Sequence, residues 1–305
     1  MKKLLLIVAL AMSFIANAAE SYNLRINFKD GDKLLDKYDL VSEVDNTSFH
    51  ESIKSASDEG LNPSKKMSLR AIEDVSEVKK PDIVWNVDVQ LGQARVLSNT
   101  SQIPGNSEEA TEIDLGEGSV QALIIYLSAI VKEKHEIRLL FAPLSYENNF
   151  IADSDIFFNG VRFLAGEKTG TDYQFNSYRL SYIYHFDRQD RMQYRIGFTG
   201  KIRDAYTVVR QDGVESRFDN VGFVPLLHLG VNILLTDKLN LDLEVEGSWS
   251  PFGYAADFRA TLNYLISNNI EIGVGLGYLD GGAENDSVDT FAKFLFGFAR
   301  VKVIF

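Results

Sequence analysis

The chain has 305 residues, is 45% hydrophobic, contains no cysteine and carries a formal net charge of −12. The charge argues against nucleic acid as a partner, and the lack of cysteine excludes a disulfide framework. Past the first residues no apolar run approaches the roughly 20 residues of a spanning helix, so any membrane crossing falls to strands, in which only every second residue meets lipid.

Residues 1–18 read as a secretory signal peptide. Lys2 and Lys3 supply positive charge, 4–15 form a short apolar run, and Ala16-Asn17-Ala18 offer small residues for cleavage. Residues 19–82 are polar, as in Lys29-Asp30-Gly31-Asp32-Lys33, and their apolar residues follow no sustained period. They are expected to form a periplasmic extension, partly disordered, in which 22–28 could be one short strand. A plug folded into a lumen is the alternative.

From Ile83 the pattern changes to alternating segments separated by turn residues. Ten strands are expected, over 83–97, 118–131, 135–147, 172–186, 192–209, 221–235, 238–250, 255–266, 269–280 and 288–305. Short turns at 132–134, 187–190, 236–237 and 267–268 alternate with longer polar linkers at 98–117, 148–171, 210–220 and 281–287, and with a tighter one near Pro251. This is the pattern of an all-β, transmembrane, antiparallel up-and-down β-barrel. The count becomes eight or twelve if the second strand is misread or 22–28 joins the wall. An even count places both termini on one side, the periplasmic one.

Strand by strand, one face is apolar and the other polar. Leu239, Leu241, Leu243, Val245 and Trp249 face out, as do Tyr178, Leu180, Tyr182, Tyr184 and Phe186, together with Ile196, Phe198 and Ile202. The inward set mixes Asp242, Glu244, Glu246, Asp257 and Glu271 with Arg138, Arg179, Arg195, Lys201, Arg203, Arg259, Arg300 and Lys302. Acids concentrate on the seventh strand and bases on the fifth. On the lipid face each Arg or Lys would cost about 2–4 kcal/mol near the midplane, so a charge ladder lining the lumen is expected. Such a ladder either fills a narrow barrel or lines a narrow pore. On the last strand Phe294, Phe296 and Phe298 share the parity of Arg300 and Lys302; a bulge near Gly297 or phenylalanines filling the interior would each account for this.

Four histidines are present. His50 falls in the extension, His135 at a turn, His185 near the periplasmic end and His228 inside the wall. None falls at the outer rim, where omptin-type proteases place Asp and His, and no serine has an obvious facing position for a Ser-His pair. The acidic segments 108–112 and 280–286 lack EF-hand spacing, so no metal or other cofactor is expected.

The end of the chain, L-F-G-F-A-R-V-K-V-I-F, alternates back from Phe305 through Val303, Val301, Ala299 and Gly297 to Leu295. This ending resembles that of bacterial outer-membrane barrels, which implies that Phe305 is the signal read by the barrel assembly machinery. Residues 136–186, with H-E-I-R-L-L-F-A-P-L, F-F-N-G-V-R-F-L-A-G and Y-R-L-S-Y-I-Y-H-F, resemble a family of uncharacterised small outer-membrane β-barrel proteins. The resemblance implies a Gram-negative outer-membrane location, contact with outer-membrane lipid and lipopolysaccharide, and an outer loop carrying the F-N-G segment. A monomer is expected. Three functions remain open: a non-enzymatic structural or surface-interaction barrel first, then a narrow channel for small polar solutes, then a hydrolase using Asp280 or Asp286.

Overall fold

The computed structural model describes residues 82–305. The expected signal peptide and the polar extension with its 22–28 strand lie outside the described residues. The elements are β1 (Ile83–Gln102), β2 (Ile113–Asp114), β3 (Gly118–Val131), β4 (His135–Ala142), β5 (Ser145–Ile151), β6 (Ile156–Phe158), β7 (Val161–Phe163), β8 (Lys168–His185), β9 (Met192–Gln211), β10 (Val214–Leu234), β11 (Leu239–Ser250), β12 (Gly253–Ser267), β13 (Ile270–Asn285) and β14 (Val288–Ile304).

Each wall strand pairs antiparallel with its neighbours, and β14 returns to β1, from Ile304 beside Asn86 to Asp289 beside Gln102. Closure pairs every wall strand with both neighbours toward the rim that carries Ile83 and Phe305, and satisfies the backbone there within the sheet, which a wall in hydrocarbon requires. The wall has ten strands: β4 and β5 are two pieces of one strand along β8, broken at Pro143, and β2 only flanks β1. The fold is therefore a closed, antiparallel, up-and-down β-barrel.

The outward faces divide the barrel into two zones. Near the rim that carries Ile83 and Phe305 they are apolar, with Leu180, Ile196, Phe198, Leu227, Leu229 and Leu276 all exposed. Farther along the same strands the outward residues turn polar, as in Asp172, Gln174 and Asn176 above Tyr178 on β8, or Ser145, Glu147 and Asn149 on β5. The apolar zone spans about 9–11 residues per strand, the length a tilted strand needs to cross the hydrocarbon. Leu180→Arg, in the middle of this belt, is expected to destabilise the barrel by about 2–4 kcal/mol in phospholipid vesicles. Ser181→Arg is no fair control, because Ser181 is buried in the lumen; Gln174→Arg, above the belt, should change stability little.

Two of the expected long linkers turn out to be tight turns. β9 runs to Gln211 and β10 starts at Val214, joined by Asp212-Gly213 with φ of 48° and 79°. That is the left-handed pair a two-residue hairpin needs, and Asp-Gly supplies it at low cost. The segment 281–287 likewise is mostly strand, with β13 reaching Asn285 and β14 beginning at Val288. The 148–171 linker contains its own hairpin, β6–β7, turned at Asn159-Gly160.

Candidate functional site: the barrel interior

The lumen is built in two layers. The layer inside the apolar belt is polar and ion-paired. Arg138 spans from Glu136 Oε1 (2.8 Å) to Glu244 Oε1 (2.8 Å). Arg195 holds Asp242 at 2.7 Å and Glu244 at 3.4 Å. Arg179 bonds Glu246 and, at 2.6 Å, Asp257. On the other side of the lumen Arg300 bonds Asp88 at 2.7 Å and Glu271 at 3.4 Å. Neutral donors complete the network: Thr199 Oγ1 donates to Glu246 Oε1 at 2.7 Å, and Asn240 Nδ2 donates to Glu271 at 3.1 Å. The inward faces leave small polar voids here, one of about 70 Å³ beside Asp88, Arg138 and Arg259.

The pairing differs from a simple acid-strand to base-strand ladder. Of the bases on β9, Arg195 reaches the acids of β11, whereas Lys201 and Arg203 make no ion pair among the described residues. Arg259 and Lys302 make none either; Arg259 lies instead against the rings of Tyr126 and Phe298, at 5.3 and 5.8 Å. Three of the arginine–carboxylate pairs cross the lumen from β4 and β8 to β11 and β12, partners that only the closed barrel brings together. Glu136 and Asp88 belong to the network and were absent from the sequence-derived set; their inward parity on β4 and β1 was the available signal.

The second layer, above the belt, is apolar. Phe294 packs against Tyr173 (centroids 6.4 Å apart) and Phe296 (6.2 Å), within a buried cluster that includes Val96, Leu144, Val209 and Ala292. The phenylalanines of β14 thus keep their inward parity, and the register shift in the β1–β14 ladder lies on β1, between Val96 and Ser98. Loops close this end. Ile103, Ile113 and Leu115 enter from one side, and the β6–β7 hairpin brings Ile156, Phe158 and Phe163 from the other.

The hairpin is tied down on several sides. Asn159 N donates to Ile103 O at 2.8 Å, Asn159 Nδ2 to Arg217 O at 3.0 Å, and Gln211 bonds both the N–H and the carbonyl of Leu164. Within it, the Ala165 N–H and the Arg162 guanidinium hold the Asp155 carboxyl below the usual carboxylate range. That tie is therefore present at neutral pH and is lost only as acid protonates the lowered group. Beneath the hairpin, burial pushes the Tyr146 phenol up to about 12, and Asn99 Nδ2 donates to its oxygen at 2.7 Å.

The histidines bond acids of the network. His185 Nε2 lies 2.7 Å from Glu136, and His228 Nδ1 lies 3.1 Å from Glu246 with its ring buried. His135 is exposed at the start of β4, with Nδ1 2.8 Å from the Tyr182 hydroxyl. No histidine bonds a serine among the described residues. Asp280 accepts from the hydroxyls of Tyr254 (2.7 Å) and Tyr278 (3.0 Å) and faces Lys293 at 3.5 Å, far in kind from a base-activated nucleophile. No group of three His, Asp or Glu side chains placed to hold a metal ion occurs among the described residues.

No family model matches the chain, and no curated protein matches it. Solved structures do align with it. The outer membrane protease OmpT from Escherichia coli is 10% identical over 74% of this chain and 98% of its own, with a TM-score of 0.49. Neisserial surface protein A is 15% identical over 73% and 97%, with a TM-score of 0.32. Ail of Yersinia pestis, in complex with a heparin analogue, is 8% identical over 71% and 98%, with a TM-score of 0.32. The barrel assignment stands on this chain's own strand pairing and apolar belt.

Proposed function

We propose that this outer-membrane barrel is a non-enzymatic, non-conducting protein that presents its far rim, the end opposite Phe305, to the cell exterior. The observation that carries this reading is the filled lumen, ion-paired inside the belt and packed with apolar side chains above it. Paired arginines and acids satisfy one another's hydrogen bonds and occupy the lumen inside the belt. In this reading both ends of the barrel domain, Ile83 and Phe305, lie on the periplasmic side. Phe305, whose backbone bonds Trp85 across the closing seam at 2.9 Å, is the residue read during assembly.

Planar-bilayer recording of the full chain tests the proposal. No conductance steps are expected, from the native protein or from Glu244→Gln. Reproducible steps whose size changes in Glu244→Gln would overturn it in favour of a narrow channel for small polar solutes. Fractionation adds a second check: the native chain should appear in the outer membrane with heat-modifiable gel mobility, and Phe305→Ala should lower the assembled fraction.

A further inference from the structure

The ladder around the wall is interrupted above the belt, between Gly118–Ile124 of β3 and β5 and again between β10 and β11. β10 is paired with β9 along nearly its whole length, from Val214 beside Gln211 to Ile233 beside Met192. With β11, however, only Leu227–Leu234 is paired, and the ladder ends at Leu227 beside Gly247. Two residues farther on stands Pro225, which has no N–H to continue a ladder. The β11–β12 hairpin then turns at Pro251-Phe252, while β10 runs on to Val214. A gap therefore separates the outer part of β10 from the end of β11.

Behind the gap lies a cavity of about 420 Å³, within the range of small-molecule sites. Its mouth is aromatic: Phe223, Trp249 and Phe252 line it and are 70%, 82% and 69% exposed. Phe223 and Trp249 lie on the outward faces of β10 and β11, in line with the lipid-facing Leu227, Leu229 and Val245. Deeper in stand two cations. Lys201 is only 4% exposed; among the described residues it makes no hydrogen bond or ion pair, and its Nζ lies 4.9 Å from the ring centroid of Phe175. Arg203 is half-buried and has a buried Nε with no hydrogen-bond partner among the described residues. Elsewhere in the lumen Arg138, Arg179, Arg195 and Arg300 each hold a carboxylate, and the unpaired Arg259 lies instead against the rings of Tyr126 and Phe298; Lys201 and Arg203 stand without an ion pair among the described residues and line the cavity. A buried cation without an anion is costly to keep, and an incoming anion would relieve it.

We infer that this cavity binds an anionic amphiphile, an alkyl chain bearing a carboxylate or similar terminal anion, which enters sideways between β10 and β11 with its anion on Lys201 and Arg203 and its chain against the aromatic mouth. The apolar, outward-facing mouth selects for the chain, and Lys201 and Arg203, without an ion pair among the described residues, select for the charge. Neither feature alone would distinguish a lipid from a dissolved anion.

Trp249 makes the test direct, because the chain has only two tryptophans and the other is Trp85. The full chain with Trp85→Phe is reconstituted in phosphatidylcholine vesicles and titrated with a dibrominated long-chain fatty acid and, separately, with its methyl ester. The acid should quench Trp249 saturably, with apparent affinity about tenfold above that of the ester, the worth of one charge-assisted hydrogen bond. Lys201→Gln should abolish most of that difference while leaving the ester's quenching unchanged, and Arg203→Gln should do so in part. Inorganic phosphate alone should not compete. Equal quenching by acid and ester, an acid affinity unchanged in both variants, or displacement by phosphate alone would each overturn the inference. Neither variant breaks an ion pair among the described residues, so gel mobility should report an intact barrel.

Discussion

Arg179→Met is expected to destabilise the folded barrel by about 3–5 kcal/mol, the cost of breaking a buried ion pair from one side. Methionine keeps much of the volume but offers no donor. Glu246 would retain the Thr199 hydroxyl and His228, whereas Asp257 would lose Arg179, its ion-pair partner among the described residues. The loss therefore falls mainly on Asp257, as an unpaired carboxylate inside the barrel. Urea unfolding in phospholipid vesicles, followed by gel mobility, measures it. The compensating variant Arg179→Met with Asp257→Asn and Glu246→Gln should recover most of the loss, because it removes the orphaned charges along with the cation. A single variant as stable as the native protein would mean that water reaches and screens this layer, and the closed-lumen reading would weaken with it.

Phe294→Ala is expected to cost a similar amount, about 3–5 kcal/mol, for a different reason. Phe294 is fully buried where β14, Tyr173 and the inward residues of the loops meet. Removing the ring loses its transfer free energy and leaves a cavity that a closed sheet cannot collapse to fill. Leu295→Ala is the matched control: it is the next residue on the same strand but is 41% exposed on the outward face, so its effect should be much smaller. The same unfolding assay compares the two, and equal losses would contradict the inward placement of Phe294. Because the β6–β7 hairpin packs on this cluster, the Phe294 variant should also become sensitive to proteolysis near Asn159 while the belt stays protected.

Alternation is a local property, and it determined much of the barrel from the sequence alone. A period of two over Leu239–Trp249 or Tyr178–Phe186 assigns the lipid face without any knowledge of neighbours, because the charges between could not face hydrocarbon. The count of ten wall strands followed from the same pattern and from the spacing of the turns. The Asp212-Gly213 hairpin was also written in the chain, but the surrounding polar residues suggested a loop. They are polar because the strands there rise above the belt into water, where composition no longer separates strand from loop. Asn159-Gly160 was hidden in the same way.

The tertiary structure decided the rest. Arg138 and Glu244 are 106 residues apart and meet only because the barrel closes, so no reading of either strand could have paired them. Whether Lys201 would find a carboxylate depended on which inward acids stood across the lumen at its height, a matter of stagger around the wall. The gap beside β10 likewise depends on unequal hairpin lengths on adjacent strands. Except on the last strand, where phenylalanines share the parity of Arg300 and Lys302, the sequence by itself determined which residues face lipid and which face inward, since that follows from the pleat. Only closure and stagger decided which inward charges are paired and which are left open to a ligand, because those contacts run across the barrel and not along the chain.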